Sequence, residues 1–136
     1  MKNKNWLITA SLLAGLAVAA GAFGAHGLKK LVEPQYVDTF KTGAQYQFYH
    51  ALAIGFATLI SQFIDNQWIR RVNWSFLLGI ILFSGSLYIL TLAKVLNVIA
   101  RNVATEGVNW VGAITPLGGL FFLFGWLALA WSVHKS

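Results

Sequence analysis

The stretch TGAQYQFYH, residues 42–50, gathers three side chains able to do chemistry together: Tyr46, Gln47 and His50. Gln47 and His50 stand three residues apart, a spacing that puts both on one face of a helix. An imidazole beside an amide and a phenol can hold a ligand, pass a proton or lock helices together by hydrogen bonds. Other polar groups stand in apolar surroundings elsewhere. They are His26 in GAFGAHGL, Ser84, Ser86 and Tyr88 in LFSGSLY, and Thr115 in GAITPLGG. Nucleophilic catalysis would need Ser84 or Ser86 beside His50 and a third group to orient the base. The sequence supplies no such set, so no catalytic residue is assigned. Two histidines begin a metal site, but the chain has no cysteine. The only nearby carboxylates, Glu33 and Asp38, lie outside these apolar stretches, so neither a metal nor a cofactor is expected. The glycines sit inside apolar runs and form neither a phosphate loop nor a dinucleotide fingerprint.

The elements that must position these residues follow from charge. Of 136 residues, 57% are hydrophobic and only 10% are charged, far below the roughly 25% usual in soluble domains. The formal charge of +6 comes from scattered basic residues, which argues against nucleic acid as a partner. Residues 5–25, 42–64, 72–93 and 107–133 carry no Asp, Glu, Lys or Arg. A spanning helix needs about 20 apolar residues, and backbone groups in hydrocarbon must pair within their own segment. The sequence therefore predicts a single all-α integral membrane domain, 1–136, built as a four-helix bundle. Its spans cover about 6–26, 44–64, 73–94 and 110–133, and its main partner is the lipid bilayer. Between spans one and two, Pro34 opens a short amphipathic helix with Tyr36, Val37, Phe40 and Ala44 on one side, expected at the membrane interface. The LAKVLNVIARNV segment extends the third helix or folds along the surface.

Lys2 and Lys4 before WLITASLLAGLAVAA also fit a signal peptide. Against that reading, Ala17, Gly21 and Ala25 recur every four residues, as do Ala20 and Gly24, the small-residue spacing of packed membrane helices. Gly118, Gly125 and Ser132 form a similar seven-residue strip in span four, with Gly119 beside it. Gly21, Gly24, Gly85, Gly118, Gly119 and Gly125 are thus the expected helix-packing positions. Pro116 is expected to kink or unwind span four.

Alternating spans bring every polar side chain named above into one half of the bilayer and leave the opposite half almost purely apolar. His26 is expected to meet Tyr46, Gln47 and His50 there. The candidate ligand set is His26, Tyr46, Gln47, His50, Ser84, Ser86, Tyr88 and Thr115, with interhelical hydrogen bonding as the plainer role. Five basic residues fall on each side of the membrane, so the positive-inside count is tied. Arg70 and Arg71 in the shortest connection favour cytoplasmic termini.

GAFGAH at 21–26, TGAQYQFYH at 42–50, LFSGSLY at 82–88 and TPLGGLFFLFGW at 115–126 together resemble the domain-of-unknown-function family 423. That family is also called the transmembrane protein 256 family or uncharacterised protein family 0382. The resemblance implies a small multi-span protein of the bacterial inner membrane, with mitochondrial relatives, and no activity to transfer. The 94–110 connection looks longer than is usual in the family. Two functions compete, the first leading and the second its alternative. One is a non-enzymatic protein that binds a membrane-protein partner or a second copy of itself, or supports the envelope. The other is a transporter or binding protein for a lipid, quinone or small solute. A pocket open at His50 favours the second, and a closed, paired network favours the first.

Overall fold

In the computed structural model, residues 3–64, 67–100 and 106–135 are described, with 106–109 described for the backbone alone. The described residues are helical almost throughout and contain no strand. Helix α1 runs Lys4–His26 and is followed by a 3₁₀ turn, Leu28–Lys30. Helix α2 runs Pro34–Ile60 without a break. Helix α3, Trp68–Gly79, passes through a π-helical stretch, Ile80–Ser84, into α4, Gly85–Ala100. A 3₁₀ segment, Glu106–Ala113, precedes α5, Thr115–His134.

Three continuous stretches are long and apolar enough to cross a membrane: Lys4–Lys30, Trp68–Ala100 and Trp110–His134. Helix α2 has 27 residues but is not among them, because Gln35, Asp38, Lys41, Gln45, Gln47 and His50 crowd its first two-thirds. The expected interfacial helix does not form a separate element. Pro34 starts a helix that simply continues, since nothing in FKTGAQ breaks it. Its expected apolar face is partly a core face, as Val37, Phe40 and Ala44 are buried. Pro116 stands in the first turn of α5, where its missing N–H is no loss. Span four therefore changes from 3₁₀ to α at the proline and has no kink in mid-helix. Part of LAKVLNVIARNV does extend the third helix, as far as Ala100. Residues 65–66 and 101–105, within the two later connections, lie outside the described residues.

Helix α1 packs chiefly on α2, α2 on the α3–π–α4 rod, and α3 on α5. One core cluster centres on Ile54, Val72, Phe76, Phe122 and Leu129. A second, at the other end, joins Leu28, Val37, Phe40 and Val95. Large apolar side chains also cover the outside, including Leu12, Leu16, Leu92, Leu123 and Leu127. That continuous apolar exterior suits hydrocarbon rather than water.

Glycines set how closely the helices approach. A Cβ at Gly118 would collide with the Phe83 backbone, so α5 rests directly on the π-helical stretch. Gly79 receives the Phe122 ring and Gly125 the Phe76 ring, both closer than 3.0 Å to a built Cβ. Gly24 lies against Phe40 and Lys41. Around Gly21, Gly85 and Gly119 a Cβ would meet nothing within 4 Å. These three do not mark tight crossings as expected, because the small-residue pattern does not reveal which side of the helix faces a neighbour.

Candidate functional site

The polar residues singled out in the sequence fall into separate groups. Gln47, 6% exposed, donates from Nε2 to the Leu13 carbonyl at 2.8 Å and accepts at Oε1 from the Tyr88 hydroxyl at 2.9 Å. One amide thus ties α1, α2 and α4. The Tyr88 ring also rests on Phe40, with centroids 4.7 Å apart.

His50, 5% exposed, is held at both ring nitrogens. Nδ1 lies 2.8 Å from the Tyr46 carbonyl, and the Trp126 indole N–H points to Nε2 at 3.2 Å. A carbonyl only accepts and an indole only donates. Nδ1 therefore carries the proton, Nε2 accepts, and the ring is neutral. One face of the imidazole stacks on Phe122, with centroids 3.5 Å apart and planes 6° from parallel.

Ser86 donates to the Phe83 carbonyl at 2.8 Å and sits 2.7 Å from the Thr115 hydroxyl. Its single proton is committed to Phe83, so Thr115 donates to Ser86. This pair joins α4 to the first turn of α5. Ser84 is fully buried in the π-helical stretch, and its hydroxyl has no partner. Neither serine is hydrogen-bonded to His50, so the serine–histidine pair considered from the sequence is not formed. Among them no three His, Cys, Asp or Glu side chains cluster as metal ligands.

His26 stands apart and is exposed. Leu13 is the residue of α1 opposite Gln47. Thirteen residues farther along, His26 lies roughly 20 Å up the helix axis. Gly24 already faces Phe40 and Lys41 rather than the TGAQYQFYH face. The expected meeting of His26 with Tyr46, Gln47 and His50 therefore does not occur.

The opposite end of the bundle is also not purely apolar. Asn73, 1% exposed, donates to the Thr58 hydroxyl at 2.9 Å, and Thr58 donates to the Ile54 carbonyl at 2.7 Å. Asn3 reaches Ser61 at 3.3 Å, and Ser75 donates to the Phe121 carbonyl at 2.7 Å. Thr58, Ser61, Asn73 and Ser75 lie inside the expected spans, yet none was singled out from the sequence.

Between α2 and α5 an open groove of about 470 Å³ runs beside His50. Tyr46, Phe83, Phe122 and Trp126 give it aromatic walls, with Pro116 and Gly119 on the α5 side. Tyr46 is 39% exposed, and its hydroxyl has no partner among the described residues. Sequence reasoning missed Phe83, Phe122 and Trp126. A signal for Trp126 was present: it falls well inside span four, away from the interface where tryptophan is common, so its N–H needs a buried acceptor.

Comparisons with known proteins identify the family. The family model described as "Protein of unknown function (DUF423)" matches residues 20–119. A UPF0382 membrane protein of Haemophilus influenzae is 40% identical over 136 residues, covering 100% of this chain and 98% of that protein. The UPF0382 membrane protein SSP2132 of Staphylococcus saprophyticus is 37% identical, covering 97% and 98% of the two chains. The UPF0382 membrane protein YwdK of Bacillus subtilis is 35% identical over the same shares. No solved structure matches. A family match across TGAQYQFYH, LFSGSLY and TPLGG, together with near full-length likeness to bacterial membrane proteins, makes this chain a member of the DUF423 (UPF0382) membrane protein family.

Proposed function

We propose that this protein is a non-enzymatic binding protein for a lipid-soluble ligand with a flat, hydrogen-bond-accepting head, of the quinone type, seated in the groove between α2 and α5. The observation that carries this reading is the groove itself: about 470 Å³ of open space with aromatic walls and the unpaired Tyr46 hydroxyl. Small-molecule sites typically have about 300–1,000 Å³, mostly apolar linings and a few polar groups that fix orientation. The buried imidazole supports a binding role over a catalytic one, because both its nitrogens are already engaged. A partner's helix is the competing occupant. Flat aromatic walls and a free phenol favour a planar ligand over an aliphatic helix face.

In this reading the chain crosses the bacterial inner membrane four times, with both termini in the cytoplasm. Helix α2 supplies the fourth crossing. Its 27 residues reach roughly 40 Å, ample for a hydrocarbon core of about 30 Å; Gln47, His50 and Thr58 are buried, whereas Gln35, Asp38, Lys41 and Gln45 are exposed.

Gly119→Leu tests the reading, because a Cβ there meets nothing within 4 Å, so the substitution fills the groove without forcing the helices apart. A short-chain ubiquinone titrated into the protein in nanodiscs should quench tryptophan fluorescence saturably. Gly119→Leu should abolish the saturable phase, and Trp126→Phe should reduce its amplitude. Quenching that Gly119→Leu leaves unchanged overturns the proposal. A protein crosslinked through a photoreactive residue at Leu120, with no saturable quenching, assigns the groove to a partner instead.

A further inference from the structure

On the far side of α2 from that groove, two hollows share one lysine. The first, about 420 Å³, lies where the chain turns from α1 into α2 and is lined by Lys29, Val37, Asp38 and Lys41 among others. The second, about 270 Å³, runs down the seam between α1 and α2 over Ala17, Gly21, Ala44 and Phe48, and Lys41 closes its upper end. The Lys41 stem lies along α1, since a Cβ on Gly24 would come within 3.3 Å of its Cγ. An aliphatic stem packed this way carries its ammonium outward toward the membrane surface. Among the described residues neither Lys29 nor Lys41 has an ion-pair partner, although Asp38 lines the same hollow.

We propose that this face is a specific site for an anionic phospholipid. Its phosphate sits between Lys29 and Lys41, and one acyl chain lies in the seam over Gly21. Two ammonium groups against one carboxylate leave the upper hollow positive, which calls for an anion. The apolar seam directly below calls for a chain attached to that anion, which free phosphate lacks. A zwitterionic choline head would bring its own cation against the lysines. Gly21 matters because of the space above it: a Cβ there meets nothing within 4 Å, leaving room for a methylene chain against the helix.

The test is native mass spectrometry of the full chain released from nanodiscs of equal phosphatidylglycerol and phosphatidylcholine. The wild type should retain phosphatidylglycerol preferentially. Lys29→Gln and Lys41→Gln should each lower that retention about fivefold, the factor expected of one basic residue near an anionic head. Gly21→Leu should lower it by blocking the chain, and Asp38→Asn should raise it by removing the opposing charge. Lys30→Gln should leave it unchanged, because Lys30 is exposed and lines neither hollow. Equal retention of the two lipids overturns the proposal. So does an effect of Lys30→Gln as large as that of Lys41→Gln, or no effect of Gly21→Leu. None of these variants touches the groove at His50, so the quinone titration can fail while this site stands, and the reverse.

Discussion

An indole and a peptide carbonyl grip the two edges of His50, and Phe122 covers one face of the ring. Trp126→Phe keeps an aromatic ring but removes the donor that Nε2 has among the described residues. A buried acceptor left unpaired costs about 1–3 kcal/mol, so the variant should melt at a lower temperature in detergent. Combining it with His50→Leu should cost less than the sum of the single changes, since each removes the same bond. His26→Ala with His50→Leu should instead be additive, because His26 is exposed and far along α1. A thermal double-mutant cycle reads both pairs, and strong coupling between the two histidines would refute the separation. The sequence carried the types of these residues, but Gln47 and His50 fall near the middle of α2 and not at the end where His26 lies. It did not carry helix register, which decides that Leu13 rather than His26 lies opposite Gln47.

Where α5 meets the π-helical stretch, backbone touches backbone at Gly118, whereas at Gly79 and Gly125 a glycine meets an aromatic ring. A ring can yield by turning or sliding, but a peptide group in a packed helix cannot. Alanine at Gly118 should therefore destabilise most, by roughly the 1–3 kcal/mol of an overpacked core or more. Gly79→Ala and Gly125→Ala should cost less, and Gly119→Ala and Gly85→Ala should be neutral. Thermal melts of the five single variants in one detergent give the order, and equal losses at Gly118 and Gly119 would refute it. The apolar blocks made the long helices legible, since block length alone sets that a helix forms. The merging of 34–43 into α2 was less legible. Amphipathic periodicity looks the same whether the helix lies on a surface or continues into a core. The π-helical stretch had no local signal at all. IILFS is an ordinary apolar run, and what distinguishes it is its contact with α5, a partner distant in sequence.

The start of α1 and the last turns of α5 lie at one end of the molecule. Asn3 reaches Ser61 at the end of α2, Trp6 packs edge-on against Trp74 at 5.2 Å, and Leu129 near the end of α5 joins the cluster of Ile69 and Val72. That end also gathers interfacial aromatics beside basic groups, with Arg71 over Trp68 at 4.6 Å and Lys135 over Trp131 at 5.1 Å. The turn at Leu28–Lys30 lies at the other end, beside Val37 and Val95. If the whole molecule spans the bilayer in this arrangement, Lys4 and Lys135 share one side and Lys30 faces the other. The chain contains no cysteine, so a single introduced thiol reports without background. Lys4→Cys, Lys135→Cys and Lys30→Cys all alter exposed positions. A membrane-impermeant maleimide applied to intact spheroplasts should label only Lys30→Cys, and lysis should make the other two reactive. Opposite results at Lys4 and Lys135 would refute an even number of crossings and, with it, α2 as the fourth. Labelling at both of those positions, with Lys30→Cys protected, would keep the four crossings and reverse only the orientation.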